Sequence, residues 1–188
     1  MSYTVGIVGV TGAVGGEVLK ILEERNFPVK ELRAFASARS EGIQVTFKGQ
    51  GVTVHEATPD GFDGVDIAFI SAGGSTSKRL VPEAARRGAV VVDKSSAWRM
   101  DPNVPLIIPE VNAEDIPAHQ GIISSPNCST IVMLMAIAPL HNANPIKRVI
   151  VDTYQSASGA GGKGIVELMQ QSRDVLDGKE TAHDTFPH

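Results

Sequence analysis

The sequence holds one cysteine, one tryptophan, few aromatic residues (5%), no excess of positive charge and no apolar run long enough for a membrane helix. A single cysteine excludes an intramolecular disulfide. The opening "MSYTVGIVG" has neither the basic region nor the cleavage site of a secretory signal, so a reducing cytoplasm is the expected compartment. The longest apolar stretch, Ile131 to Leu140, stops well short of the roughly 20 residues a membrane span requires and reads as a buried helix. A net charge of −4 supplies no general attraction for nucleic acid or an anionic membrane, so an anionic ligand must be held by local groups. His55, His119, His141, His183 and His188 are scattered without metal-ligand spacing, and they suggest neither a metal site nor an acid or base role.

What is present is a chain of 188 residues, 42% hydrophobic and 20% charged, with glycine and proline spread without a period. That composition belongs to a globular protein of one domain, or one domain and part of another. The opening "YTVGIVG" reads as a strand, "VTGAVGG" as a turn, and "EVLKILEERNF" as a helix with Val18, Leu19, Ile21 and Leu22 on one face. A strand "ELRAFAS" follows the Pro28 break, then a hairpin "IQVTFKGQGVTVHEA" turning at Lys48-Gly49-Gln50-Gly51. "VDIAFIS", a helix from about Thr76 to Arg87, and "AVVVDKS" make a further β-α-β unit, whose continuous apolar strands suit a parallel sheet covered on both faces. A helix is expected from Cys128 to about Pro139, and a strand over "IKRVIVDTYQSAS" leads through "GAGGKG" into the helix "IVELMQQSRDVLD". The fold class is thus α/β, a Rossmann-like dinucleotide-binding domain over residues 1–127. The start of a truncated α+β catalytic and dimerisation domain is placed at 128–188.

The loop Gly9-Val10-Thr11-Gly12-Ala13-Val14-Gly15 is a G-x-x-G-x-x-G variant of the dinucleotide fingerprint. Its glycines let the chain turn tightly and let a pyrophosphate approach the amides at a helix start. At the end of the second strand an NAD site usually offers an acid to the ribose 2′-hydroxyl, but "FASARS" offers Ser37, Arg39 and Ser40. A guanidinium with hydroxyls suits a 2′-phosphate, which favours NADP; the plainer reading of Arg39 is a solvated arginine. In "ISAGGSTS" a second glycine turn could bring Ala72, Gly73 and Thr76 to the cofactor, or Ser75 or Thr76 could simply cap a helix.

Cys128 in "SPNCST" stands where a helix begins, with Asn127 as a suitable N-cap. Amide groups and the helix dipole at that position favour the thiolate, the reactive form. The alternative is a buried, inert thiol, the common condition of cysteine.

"TGAVG", "SARS", "SAGG", "DKSSAWRMD", "IPEVN", "SPNCST" and "TYQSASGAGGKG" occur in an order and spacing that closely resemble the bacterial aspartate-β-semialdehyde dehydrogenases, along essentially the whole chain. The resemblance implies that Cys128 is the acyl-thioester nucleophile, that Gln155 positions the thioester or aldehyde, and that Arg99 grips the substrate phosphate. It also implies that Asn127 helps to orient the reacting group, and that Thr11, Gly12, Ala13, Val14, Arg39, Ser40, Ala72, Gly73, Ser158 and Gly159 lie against NADP. The implied reaction is the reduction of L-aspartyl-4-phosphate to the 4-semialdehyde, in the biosynthesis of lysine, threonine and methionine, by a homodimer or homotetramer. Splitting the conversion at a thioester divides one hard step into two easier ones. Lys163 receives no role beyond that of a loop lysine.

Members of that family are longer, and the resemblance places their general-base histidine, carboxylate-binding arginine and a second phosphate-binding residue beyond His188. The expectation is therefore an N-terminal portion that is catalytically poor alone. The nearest rival within the superfamily is N-acetyl-γ-glutamyl-phosphate reductase, whose cysteine follows glycine where this chain has Asn127. Glyceraldehyde-3-phosphate dehydrogenase is more distant. From another class, a nucleotide-binding module without chemistry fits the glycine loop but has no use for Cys128, Arg99 and Gln155 together.

Overall fold

The computed structural model describes residues 1–186, and His188 lies outside them. The chain forms two compact units, Met1–Arg148 and Val149–His188. In the first, β1 (Tyr3–Val8) leads into α1 (Ala13–Glu24) and β2 (Val29–Ala36), followed by a hairpin of β3 (Gln44–Phe47) and β4 (Gln50–Glu56). Then come β5 (Ile67–Ile70), α2 (Gly74–Arg86), β6 (Val90–Asp93), the short α3 (Pro109–Asn112), β7 (Ile122–Ser124) and α4 (Cys128–Ala143). The seven strands form one sheet in the order β3-β4-β2-β1-β5-β6-β7, parallel throughout except for the antiparallel β3–β4 pair.

Alternation along β1 explains the layers. Val5 and Ile7 face a cluster with Leu19 and Leu22 of α1, Phe47 and Val54, whereas Val8 joins Ile70, Phe62, and Leu80 and Val81 of α2 on the other side. A parallel strand covered on both faces must be apolar at nearly every position, and β1 is buried from Thr4 onward. The expected hairpin is present. Its two-residue turn puts Lys48 at φ 49° and Gly49 at φ 76°, the paired left-handed conformation that matches strand twist.

Two expectations fail. The helix from Cys128 does not stop at Pro139 but runs on to Ala143. The ring removes a bond to the Met135 carbonyl, but both residues are exposed, so water can serve that carbonyl and the helix ends one turn later. The strand expected over residues 146–158 is not formed: among the described residues 146–156 have no regular structure. Its apolar alternation is suited to a sheet, but a strand exists through a neighbour's backbone, and no described segment pairs with it. The second unit instead consists of a 3-10 turn (Ala157–Ala160) and α5 (Gly162–Leu176). Its tail is tied back by the Glu167 carboxylate, which accepts the amides of Asp184, Thr185 and Phe186 at 3.2, 2.6 and 3.1 Å.

Candidate active site

The chain leaves β1 toward β2 on one side, while β5, β6 and β7 extend on the other. The strand order therefore reverses between β1 and β5. Ligands of open α/β sheets bind in the crevice outside the carboxyl ends of the strands at such a reversal. Both glycine turns lie there. Gly9, at φ +84°, is packed so closely that a Cβ would run into the Ser71 carbonyl, and the Ser71 amide bonds the Val8 carbonyl at 3.0 Å. Gly15 is buried, and a Cβ on it would overlap the Gly9 carbonyl and Val10, so only glycine lets α1 approach β1 here.

The first turn of α1 begins at Ala13, inside the glycine loop, four residues earlier than the pattern of Glu17 onward indicates. Ala13 and Val14 are therefore helical, and both are exposed, as are the non-helical Thr11 and Gly12 before them. Helix-start amides lack intrahelical partners, and here neither a side-chain cap nor a first-turn acid fills them. α2 begins in the same way. Gly73 (φ 76°) precedes it with no side-chain cap, so the capping expected of Ser75 or Thr76 is absent at this helix start. Ala72 and Thr76 are half-buried beside it. Two uncapped helix starts facing one crevice are chemically suited to the phosphates and ribose of a dinucleotide.

β2 flanks the crevice on its other side, with the Phe35 carbonyl accepting the amides of Gly9 and Val10 at 2.8 and 3.1 Å. Ser37 follows it, exposed, and Ala38–Ser40 form a 3-10 turn carrying exposed Arg39. The nearest acid, Glu41, is engaged elsewhere: His55 Nδ1 lies 2.9 Å from its Oε1, and the Glu56 amide donates to its Oε2. These two partners hold the Glu41 carboxyl below the ordinary glutamate range.

Cys128 opens α4, exposed, at the carboxyl end of β7 and thus on the same edge of the sheet as the crevice. The expected N-cap forms, with Asn127 Oδ1 accepting the Ser129 and Thr130 amides at 2.9 and 3.4 Å. Adjacent strands lie about 4.8 Å apart, so two steps from β5 to β7 put the cysteine loop about 10 Å across the sheet from the second glycine turn. The loop is fixed from β6, where the Asp93 carbonyl accepts the Ser125 amide at 2.8 Å. Arg99 is brought to this loop by its own bonds: Nε donates to the Ser125 carbonyl at 2.9 Å and Nη2 to the Lys94 carbonyl at 3.1 Å. Among the described residues no carboxylate pairs with Arg99, so its charge and remaining N–H groups stay available to an anion.

Gln155, Ser158, Gly159 and Lys163 belong to the second unit. Ser158 and Gly159 lie in the 3-10 turn, and the Gln155 side chain covers Gly159 so closely that a Cβ there would overlap its amide. Lys163 is exposed in the first turn of α5.

Sequence reasoning missed a buried group next to Lys94, whose carbonyl accepts Arg99. Asp93 ends β6 with no exposure, accepting Ser77 Oγ at 2.8 Å on Oδ1 and the Ser95 hydroxyl and amide at 2.7 and 3.1 Å on Oδ2. The signal was an acid at the end of the apolar strand "VVVD", since a buried carboxylate must find donors.

The fold and the two uncapped helix starts at its reversal are those of a dinucleotide-binding α/β domain. The chain belongs to the semialdehyde dehydrogenases: the family profile "Semialdehyde dehydrogenase, NAD binding domain" matches residues 4–119, and "Semialdehyde dehydrogenase, dimerisation domain" matches 137–188. Curated relatives include the aspartate-semialdehyde dehydrogenases of Aquifex aeolicus and Bacillus subtilis. The first is 54% identical over all of this chain and 56% of its own length, the second 51% identical over 97% and 53%. A crystal structure of aspartate semialdehyde dehydrogenase II complexed with ASA from Vibrio cholerae superposes with a TM-score of 0.91 at 45% identity, covering 100% of this chain and 56% of that one. The chain spans about half the length of these relatives. No helix among the described residues is long and apolar enough to cross a membrane.

Proposed function

We propose that this chain carries the cofactor site and nucleophile of an NADP-dependent aspartate-semialdehyde dehydrogenase, which converts L-aspartyl-4-phosphate to the 4-semialdehyde through a thioester on Cys128. The observation that carries the proposal is the junction of Arg99 with the cysteine loop. A guanidinium unpaired with any described carboxylate is bonded to Ser125, three residues before an exposed thiol at a helix start.

Each residue has a definable task. Arg99 holds the phosphoryl group with its remaining donors and lowers its cost as a leaving group. The Cys128 thiolate attacks the acyl carbon, forming the C–S bond while phosphate departs, and the amides at the start of α4 favour the anionic sulfur. Asn127 orients the reacting group, while its Oδ1 caps the helix that presents Cys128. Gln155 positions the thioester or aldehyde. Thr11–Val14, Ala72, Gly73 and Thr76 would hold NADP, with Ser37, Arg39 and Ser40 for its 2′-phosphate and Ser158 and Gly159 as the second unit's share, and the cofactor would supply or take the hydride. The choice of NADP over NAD is supported by the lack of a disengaged acid after β2, since Glu41 is committed to His55 and Glu56. The functional division falls at Cys128, with residues 1–127 holding the dinucleotide and residues 128–188 beginning the catalytic and dimerisation part. The enzyme works as a homodimer or homotetramer in the cytoplasm.

The test is phosphate-dependent NADP reduction with aspartate semialdehyde by the gene's complete product, beside its Cys128→Ser variant. The parent is expected to reduce NADP only with phosphate present, and the variant to lose at least ~10³-fold in rate, the scale on which an activated nucleophile acts. Phosphate-independent turnover, or a variant as active as its parent, refutes the proposal.

A further inference from the structure

We propose that Ser77, Asp93 and Trp98 form a positioning hub that couples the cofactor turn before α2 to the anion grip of Arg99, so that filling either site strengthens the other. Trp98 Nε1 donates to Ser77 Oγ at 2.9 Å, and the Ser77 hydroxyl donates to Asp93 Oδ1 at 2.8 Å. Ser77 and Asp93 have no exposure, and Ser95, itself bonded to Asp93, accepts the Ala97 amide at 3.1 Å. Losing any one bond of a buried chain of this kind leaves a desolvated donor or acceptor behind, so its members order together or loosen together.

The hub's ends are what give it a role. Ser77 follows Thr76 in the first turns of α2, and Trp98 precedes Arg99. The Trp98 ring packs on the same core cluster as Ala72 of the glycine turn. A ligand that draws Arg99 into a fixed pose therefore also fixes Trp98, and through Ser77 the start of α2 where the cofactor is read. Linkage requires the effect to be reciprocal. None of the three hub residues touches substrate; they act through Arg99 and the turn. The inference rests on the reading of Arg99 as the phosphate grip.

The experiment is calorimetric titration of the gene's complete product with inorganic phosphate and with NADP⁺, each alone and in the presence of the other. In the parent each ligand is expected to tighten the other by the same factor, about fivefold or more. Trp98→Phe keeps an aromatic ring in the core and removes the N–H. It is expected to bring that factor close to one while NADP⁺ affinity alone changes by less than about twofold, a split that mere destabilisation does not produce. Ser77→Ala should behave alike; if circular dichroism shows it unfolded, Trp98→Phe decides alone. A parent factor of one, or a Trp98→Phe factor equal to the parent's, overturns the hub. Arg99→Met separates the two claims: phosphate affinity retained in it overturns the grip and the hub together, as does a parent that takes no phosphate. Phosphate affinity lost in Arg99→Met beside unchanged coupling in Trp98→Phe removes the hub alone.

Discussion

Arg39 stands exposed on a turn directly after β2, beside two serines and a glutamate whose carboxylate is already bonded. A ribose bearing a bare 2′-hydroxyl gains little from a guanidinium there, whereas a 2′-phosphate gains a charge-assisted bond. Arg39→Ala is therefore expected to weaken NADPH by roughly 1.5–3 kcal/mol and to leave NADH almost unchanged, read by fluorescence titration of both. Equal losses for the two cofactors would return Arg39 to the status of a solvated arginine. The opposite case at this scale is Gly15. It has no side chain to offer a ligand, yet glycine is needed there because the Gly9 carbonyl occupies the space a side chain would take.

Among the elements, the short turn Ala38–Ser40 shows how a flexible-looking loop is held. Glu41 ties it to the end of β4 through His55 and the Glu56 amide, and these partners keep its carboxyl below the ordinary glutamate range. A carboxyl depressed on folding stabilises the native state fully above its unfolded pKa of about 4.3, and the contribution fades as pH falls through the lower folded value. Urea midpoints of the parent and Glu41→Gln should differ near neutral pH and converge in acid below that range. A gap independent of pH would show that the carboxylate charge is immaterial. The parallel sheet, both glycine turns and the Asn127 cap were legible because each rests on a local pattern: unbroken apolar strands, glycine spacing, a capping residue before a helix. The course of α4 past Pro139 was not, since it depends on whether the orphaned carbonyl meets water. The strand expected at residues 146–158 was misread because β pattern names a suitable segment but not its neighbour. Asp93 was passed over for a related reason: its donors, Ser77 and Ser95, come from different elements, and only the folded chain brings them to one carboxylate.

For the molecule as a whole, the exposed apolar surface is the dominant physical fact. α4 is apolar around its circumference and has no buried residue, with Val132 73% and Leu140 63% exposed; Ile150, at 85%, adds to the same character in the second unit. A helix apolar on all sides is made to be covered, and each such side chain removed from water is worth about 2 kcal/mol. Contiguous apolar surface of this kind drives association, and the dimerisation profile begins within α4, at residue 137. The 188-residue chain is therefore expected to self-associate in sedimentation velocity as its concentration rises. Val132 and Leu140 lie two turns apart on one face of α4. Replacing both with glutamate should shift the distribution toward monomer without loss of NADP⁺ binding, because neither residue is near the glycine turns in sequence or sheet order. Association in the double variant equal to the parent's would locate the contact elsewhere, and a parent that stays monomeric at every concentration would refute the idea that this surface seeks a partner.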